Sequence, residues 1–90
     1  MELKSKLKIS KNVLFREIDD EAVLLNLQSG IYFGLDKVGT EIWRWIGEDG
    51  RLDKILDKMT RHYDVAPRTA GPDLLELAGH LKKHGLVDVS

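Results

Sequence analysis

Residues 24–43 read Leu24-Leu25-Asn26-Leu27-Gln28-Ser29-Gly30-Ile31-Tyr32-Phe33-Gly34-Leu35-Asp36-Lys37-Val38-Gly39-Thr40-Glu41-Ile42-Trp43, and they decide the fold. Ser29-Gly30 interrupts an apolar run, and Ile31 to Leu35 resumes it as a short strand rich in β-branched and aromatic residues. At Asp36 the apolar period changes from strand to helix. Val38, Ile42, Trp45 and Ile46 fall on one helical face, and Asp36 stands where an N-cap carboxylate is needed.

Upstream, Asn12–Ile18 and Ala22–Gln28 predict two more strands, with Asp19-Asp20-Glu21 as the tight polar turn between them. Three strands joined by short links make an antiparallel meander. The alternation from Leu3 to Ile9 predicts a further edge strand. Downstream, Gly47 to Gly50 ends the first helix, and Leu52, Ile55, Leu56, Met59 and Tyr63 mark a second. Pro67, Gly71 and Pro72 predict a loop, with Pro72 fitting the first turn of a third helix over Asp73 to Lys82. Leu74, Leu77 and Leu81 form its stripe, beside Leu75 and Ala78. Lys82, Lys83 and His84 complement the helix dipole. Gly85 suits a left-handed cap, with Leu86 folding back against Leu81 as in the Schellman arrangement. Trp43 and Trp45, two apart, cannot share a stripe; the face through Ile42 and Ile46 assigns Trp45 to the core and leaves Trp43 half exposed. The expected architecture is a single α+β domain over residues 1–90, a three-stranded antiparallel sheet followed by three helices.

Composition excludes several function classes. The 90 residues suffice for one small domain and for no deep, enclosed active site. Fourteen basic against fifteen acidic residues give a net charge of −1, which supplies no global attraction for nucleic acid or an anionic membrane. With no cysteine there is no disulfide, thiolate metal site or cysteine nucleophile, which suits a reducing cytoplasm. The N-terminus has no continuous apolar stretch of the kind a signal peptide needs.

No catalytic constellation stands out. Ser29 and Thr40 lack an evident base and orienting acid, so no enzyme activity is assigned. Gly30, Gly34 and Gly39 do not have dinucleotide or P-loop spacing. His80 and His84 lie at i and i+4 without a third ligand, and helix-dipole compensation explains them better than a metal. His62 reads as a surface residue at a helix end. Neither a metal nor a cofactor is expected.

The strand edge is the remaining opening. A three-stranded sheet has two edges of unpaired backbone groups, usually blunted by charge, proline or a bulge. Ile31 to Leu35 carries neither charge nor proline, and Gly34 removes a side chain where another backbone can approach. That combination points to strand addition by a partner peptide. On spacing alone, a plain core strand is the weightier reading, because apolar strand residues are usually packing.

The motif from Leu24 to Trp43 shifts that balance. It resembles the signature of the PqqD-like family: a leucine-asparagine strand, a glycine-tyrosine hairpin, then valine-glycine and isoleucine-tryptophan elements. His84-Gly85-Leu86-Val87 is similar to the family's terminal glycine-leucine-valine. The resemblance implies a winged helix-turn-helix that serves as a recognition element for ribosomally made, modified peptides. The leader of a precursor would lie as an added strand against the third strand, beside the third helix. Carried onto this chain, the leader-binding residues are Ile31, Tyr32, Phe33, Gly34, Leu35 and Asp36 on the strand, with Leu74, Leu77, Ala78, Leu81 and Lys82 on the helix, some of which must face the core instead. A chain ending at Ser90 resembles the stand-alone forms of lasso-peptide systems, whose partner is a separate leader peptidase. The alternative within the family is a chaperone presenting a precursor to a radical SAM enzyme. Neither nucleic acid nor membrane is an expected partner, and the expected state is a monomer or weak dimer. The competitor from another class is a winged-helix DNA-binding regulator, with Arg61, Arg68, Lys82 and Lys83 near phosphates. The acidic, apolar start Asp73-Leu74-Leu75-Glu76 argues against it, since a recognition helix brings basic or amide side chains to the groove.

Overall fold

Hydrogen bonding in the structure, a computed structural model describing residues 1–90, sorts the chain into five strands and three helices. They run β1 (Leu7–Ile9), β2 (Val13–Ile18), β3 (Glu21–Asn26), β4 (Tyr32–Leu35), α1 (Lys37–Glu48), α2 (Leu52–His62), α3 (Pro67–Lys83) and β5 (Val87–Val89). The α+β class and the meander followed by three helices are as expected. The strands divide between two antiparallel sheets, β2-β3-β4 and β1-β5.

The meander follows from its turns. Ile18 pairs with Glu21 across Asp19-Asp20, and Asp19 takes a positive φ of 50° that aspartate tolerates better than most residues. Asn26 shapes the next turn, its Oδ1 accepting from the backbone N–H groups of Gln28 (2.9 Å) and Ser29 (3.2 Å). These bonds draw Leu27 and Gln28 out of the strand. Ile31 likewise precedes β4 rather than opening it.

Leu7–Ile9 forms a strand, but it does not extend the meander. It pairs with the C-terminal tail in the register Leu7↔Val89 and Ile9↔Val87. Gly50 permits this: a Cβ there would stand 1.7 Å from the carbonyl oxygen of Leu7, whose N–H donates to the Gly50 carbonyl at 2.8 Å.

Helix α1 begins as expected, with Asp36 Oδ1 accepting the Gly39 N–H at 2.7 Å. Its buried face is turned from the expected one. Trp43 is buried and Trp45 lies half exposed against His62 and Tyr63, so the two tryptophans exchange their expected roles. Gly39 and Thr40 cause the rotation. Both are small enough to sit inward against Leu35, which places Trp43 rather than Trp45 on the core side and leaves Val38 exposed.

Helix α3 starts six residues earlier than expected, at Pro67, a residue preorganised for a first helical position. Pro72 therefore lies within the helix, where a proline costs about 3 kcal/mol. Ala70 and Gly71 are buried, the latter facing Leu56 of α2, so this first part of the helix is held in place by its packing. The far end behaves as expected. Gly85 has φ 70°, Gly85 N donates to Lys82 O at 3.0 Å and Leu86 N to Leu81 O at 2.9 Å, completing a Schellman motif.

One core unites these elements. Leu24 of β3, Leu52 and Ile55 of α2, Leu74 and Leu81 of α3, and Leu86 are each fully buried. Each contributes about 1.5–3 kcal/mol relative to exposure. No helix is long and apolar enough to cross a membrane.

A candidate peptide groove along the fourth strand

Strand β4 is an edge of the meander, and its ladder phase shows which backbone groups are free. Asn26 N donates to Ile31 O at 3.1 Å, making that pair a hydrogen-bonded one. Antiparallel pairs alternate. Phe33, opposite Leu24, and Leu35, opposite Ala22, therefore bond to β3. Tyr32 and Gly34 turn their N–H and C=O groups outward, away from the sheet. Between these two residues the edge offers two donors and two acceptors to a further strand.

The same alternation sorts the side chains. Phe33 and Leu35 share the core-facing side with Leu24 and Ala22, while Tyr32 and Gly34 lie on the outer side. Beside the core-facing side runs a groove of ≈ 490 Å³ between β4 and α3. Phe33 and Leu35 form one wall, Leu77 and Asp73 the other, and Ile42 and Met59 the floor. Its size falls within the range of ligand clefts, and most of its lining is apolar.

The expected residues divide into four groups. Phe33, Gly34, Leu35, Asp36 and Leu77 line the groove together. Tyr32, two-thirds exposed, and Ile31 flank it along the strand edge. Leu74, Ala78 and Leu81 are at most 1% exposed; they belong to the core and support the groove from behind. Lys82 is exposed in the last turn of α3. Val38, Met59, Asp73 and Ile42 were not foreseen as lining. Asp73 had a signal, as the acidic residue one helical turn before Leu77 on the same face.

The groove's width is held at one end by the α3 terminus. Asn26 Nδ2 donates to the His84 carbonyl at 2.9 Å, and the Phe33 and His84 rings meet edge-on with centroids 5.1 Å apart. His84 Nδ1 lies 2.8 Å from the His80 carbonyl, so that nitrogen carries the hydrogen and donates it. Outside the groove lining, at the end of α2, burial first, and then the Glu41 and Asp36 charges, push the Tyr63 phenol above its ordinary value. A larger depression of ≈ 860 Å³ lies near β1 and the α1–α2 link, but its lining is mostly polar.

Comparison with known proteins places this geometry. The model of the family described as coenzyme PQQ synthesis protein D (PqqD) matches residues 21–87. The solved structure of TbiB1 in complex with the TbiA(beta) leader peptide is similar at 42% identity and a TM-score of 0.85, over 90% of this chain and 94% of that one. A lasso peptide synthetase B1 complexed with the leader peptide has the same fold, with a TM-score of 0.76 at 23% identity over 92% and 98% of the two chains. No curated protein matches. The family match runs from the first residue of β3 to the first of β5, spanning the whole unit that builds the groove, and the chain belongs to the PqqD family.

Proposed function

We propose that this chain is a non-catalytic recognition element that binds the leader of a ribosomally made precursor peptide by strand addition to β4. It delivers the bound precursor to a separate maturation enzyme, the leader peptidase of lasso-peptide biosynthesis. The observation that carries the proposal is the open β4 edge: Tyr32 and Gly34 present free backbone groups directly beside an apolar groove. TbiB1, the 42% identical neighbour, is solved with a leader peptide.

Backbone bonds to Tyr32 and Gly34 supply affinity that depends little on sequence, and the groove supplies selection. Phe33, Leu35, Leu77 and Val38 hold one apolar leader side chain or more. Asp36 and Asp73 mark one mouth of the groove, and Ile31 and Lys82 lie toward the other. The meander followed by three helices supports a winged helix-turn-helix description. Holding the leader raises the effective concentration of its scissile region at the peptidase, which then performs the chemistry. A reducing, cytoplasmic setting suits a chain that folds without cysteine.

Fluorescence polarisation with the labelled leader encoded beside this gene, against a scrambled leader and a DNA duplex, tests the proposal. Saturable binding to the authentic leader alone is expected. Equal binding to the scrambled peptide, or salt-sensitive binding to DNA in place of the leader, overturns it.

A further inference from the structure

The outer face of the meander carries a feature that the groove does not explain. Gly34 needs to be glycine neither for conformation, since its φ is not in the left-handed region, nor for space, since a Cβ there meets nothing within 4 Å. A glycine inside a strand weakens it. Its absent side chain leaves a depression of ≈ 490 Å³ on the outer face, separate from the groove but sharing Gly34, Leu35 and Asp36 with it.

The lining of this depression is chemically lopsided. Val23, directly across from Gly34, and Ile18, 61% exposed, provide apolar surface. Asp19, Glu21 and Asp36 stand around it, and no basic residue lines it. None of the three carboxylates forms a salt bridge within the chain. An apolar floor beside the unpartnered carboxylates of Asp19 and Glu21, with the α1-capping carboxylate of Asp36 at its rim, is complementary to a long cationic side chain, whose stem lies on apolar surface while its head reaches the charges.

We propose that this depression is a second leader subsite, taking the lysine or arginine side chain of the leader residue that pairs with Gly34. The inference rests on strand addition to β4. Gly34 bonds outward, so its partner in an antiparallel addition projects its side chain onto Gly34's own face. Strands lie about 4.8 Å apart, so a lysine or arginine stem can cross the bare glycine to Val23. Alternate leader residues are then read on opposite faces, apolar in the groove and basic over Gly34.

The test is a double-mutant cycle. The probes are the fluorescein-labelled leader encoded beside this gene and versions with each lysine or arginine of its paired stretch changed singly to glutamine. The proteins are wild type, Gly34→Val and Glu21→Gln. Gly34→Val fills the depression with a residue that favours strands and has room there, so circular dichroism melting should show an intact fold. Both variants should weaken binding of the authentic leader, Gly34→Val about tenfold. One glutamine-substituted peptide should lose sensitivity to both variants, the two effects failing to add. Protection of the Tyr32 and Gly34 amides should persist in the Gly34→Val complex, showing that the strand still adds. Wild-type affinity in Gly34→Val, simple additivity for every peptide, or a leader with no basic residue in its paired stretch overturns the subsite and leaves strand addition standing. Failure of wild type to bind the authentic leader overturns both.

Discussion

The side-chain amide of Asn26 donates to the backbone carbonyl of His84 across 58 residues of sequence, at 2.9 Å. One buried side chain thus ties the β3–β4 turn to the end of α3, the two elements that flank the groove. Its Oδ1 meanwhile accepts two backbone N–H groups of the turn. The Phe33–His84 ring contact reinforces the same junction. The open edge and the helix wall are consequently held in one geometry before any peptide arrives, which lowers the ordering cost of binding.

Asn26→Ala removes three hydrogen bonds and leaves the His84 carbonyl without its side-chain donor. A loss of about 2 kcal/mol in urea unfolding is expected, since an unsatisfied buried group costs more than an average bond contributes. Leader affinity should fall with it, because the groove wall is released.

Gly85→Ala tests the same junction from the helix side. A Cβ at Gly85 would sit 2.9 Å from Asn26 Nδ2, on a backbone whose φ is 70°. The left-handed conformation alone costs an alanine about 1–2 kcal/mol. The loss of unfolding free energy should exceed that penalty, and Asn26→Ala combined with Gly85→Ala should cost less than the sum of the two.

Leu77 and Leu74, three residues apart on α3, should separate binding from folding. Leu77 lines the groove and is partly exposed, whereas Leu74 is fully buried. Leu77→Asp should reduce leader affinity about tenfold or more, with a smaller loss of stability than Leu74→Ala. Leu74→Ala should lose about 2–5 kcal/mol of stability. Polarisation and thermal melting measured side by side read both effects.

Tyr63 gives a pH dependence with a definite sign. Its phenol is held above the ordinary value of 10.0 by burial and then by the Glu41 and Asp36 charges. The folded chain therefore keeps a proton that the unfolded chain gives up. The resulting stability is present below pH about 10 and is lost as pH rises through the folded value. Urea titrations at increasing alkaline pH should show wild type losing stability faster than Tyr63→Phe.

Much of this was legible in residues 24–43 and 84–87. The turn at Asp19-Asp20, the Asp36 cap and the Gly85–Leu86 reversal are local signals, each produced by a residue within a few positions of the bonds it forms. The departures have non-local causes. Which of Trp43 and Trp45 is buried depends on Gly39 and Thr40 fitting against Leu35, and the apolar period cannot resolve one residue of rotation. Pro72 lies inside a helix because Ala70 and Gly71 pack inward, overriding local preference. The β1–β5 pair joins the two ends of the chain, and no periodicity reports a partner that distant. For the site, the strand edge could be read from residue types. Leu74, Leu77, Ala78 and Leu81 could not be divided between groove and core until the rotation of α3 against the sheet was known.

Strand addition to β4 is the central claim, and amide hydrogen exchange of the ¹⁵N-labelled protein with and without saturating authentic leader tests it most directly. Tyr32 and Gly34 should become protected by about tenfold or more on binding, while Phe33 and Leu35, already bonded to β3, should change little. Saturable leader binding that leaves the Tyr32 and Gly34 amides exchanging at their free rates would contradict the account.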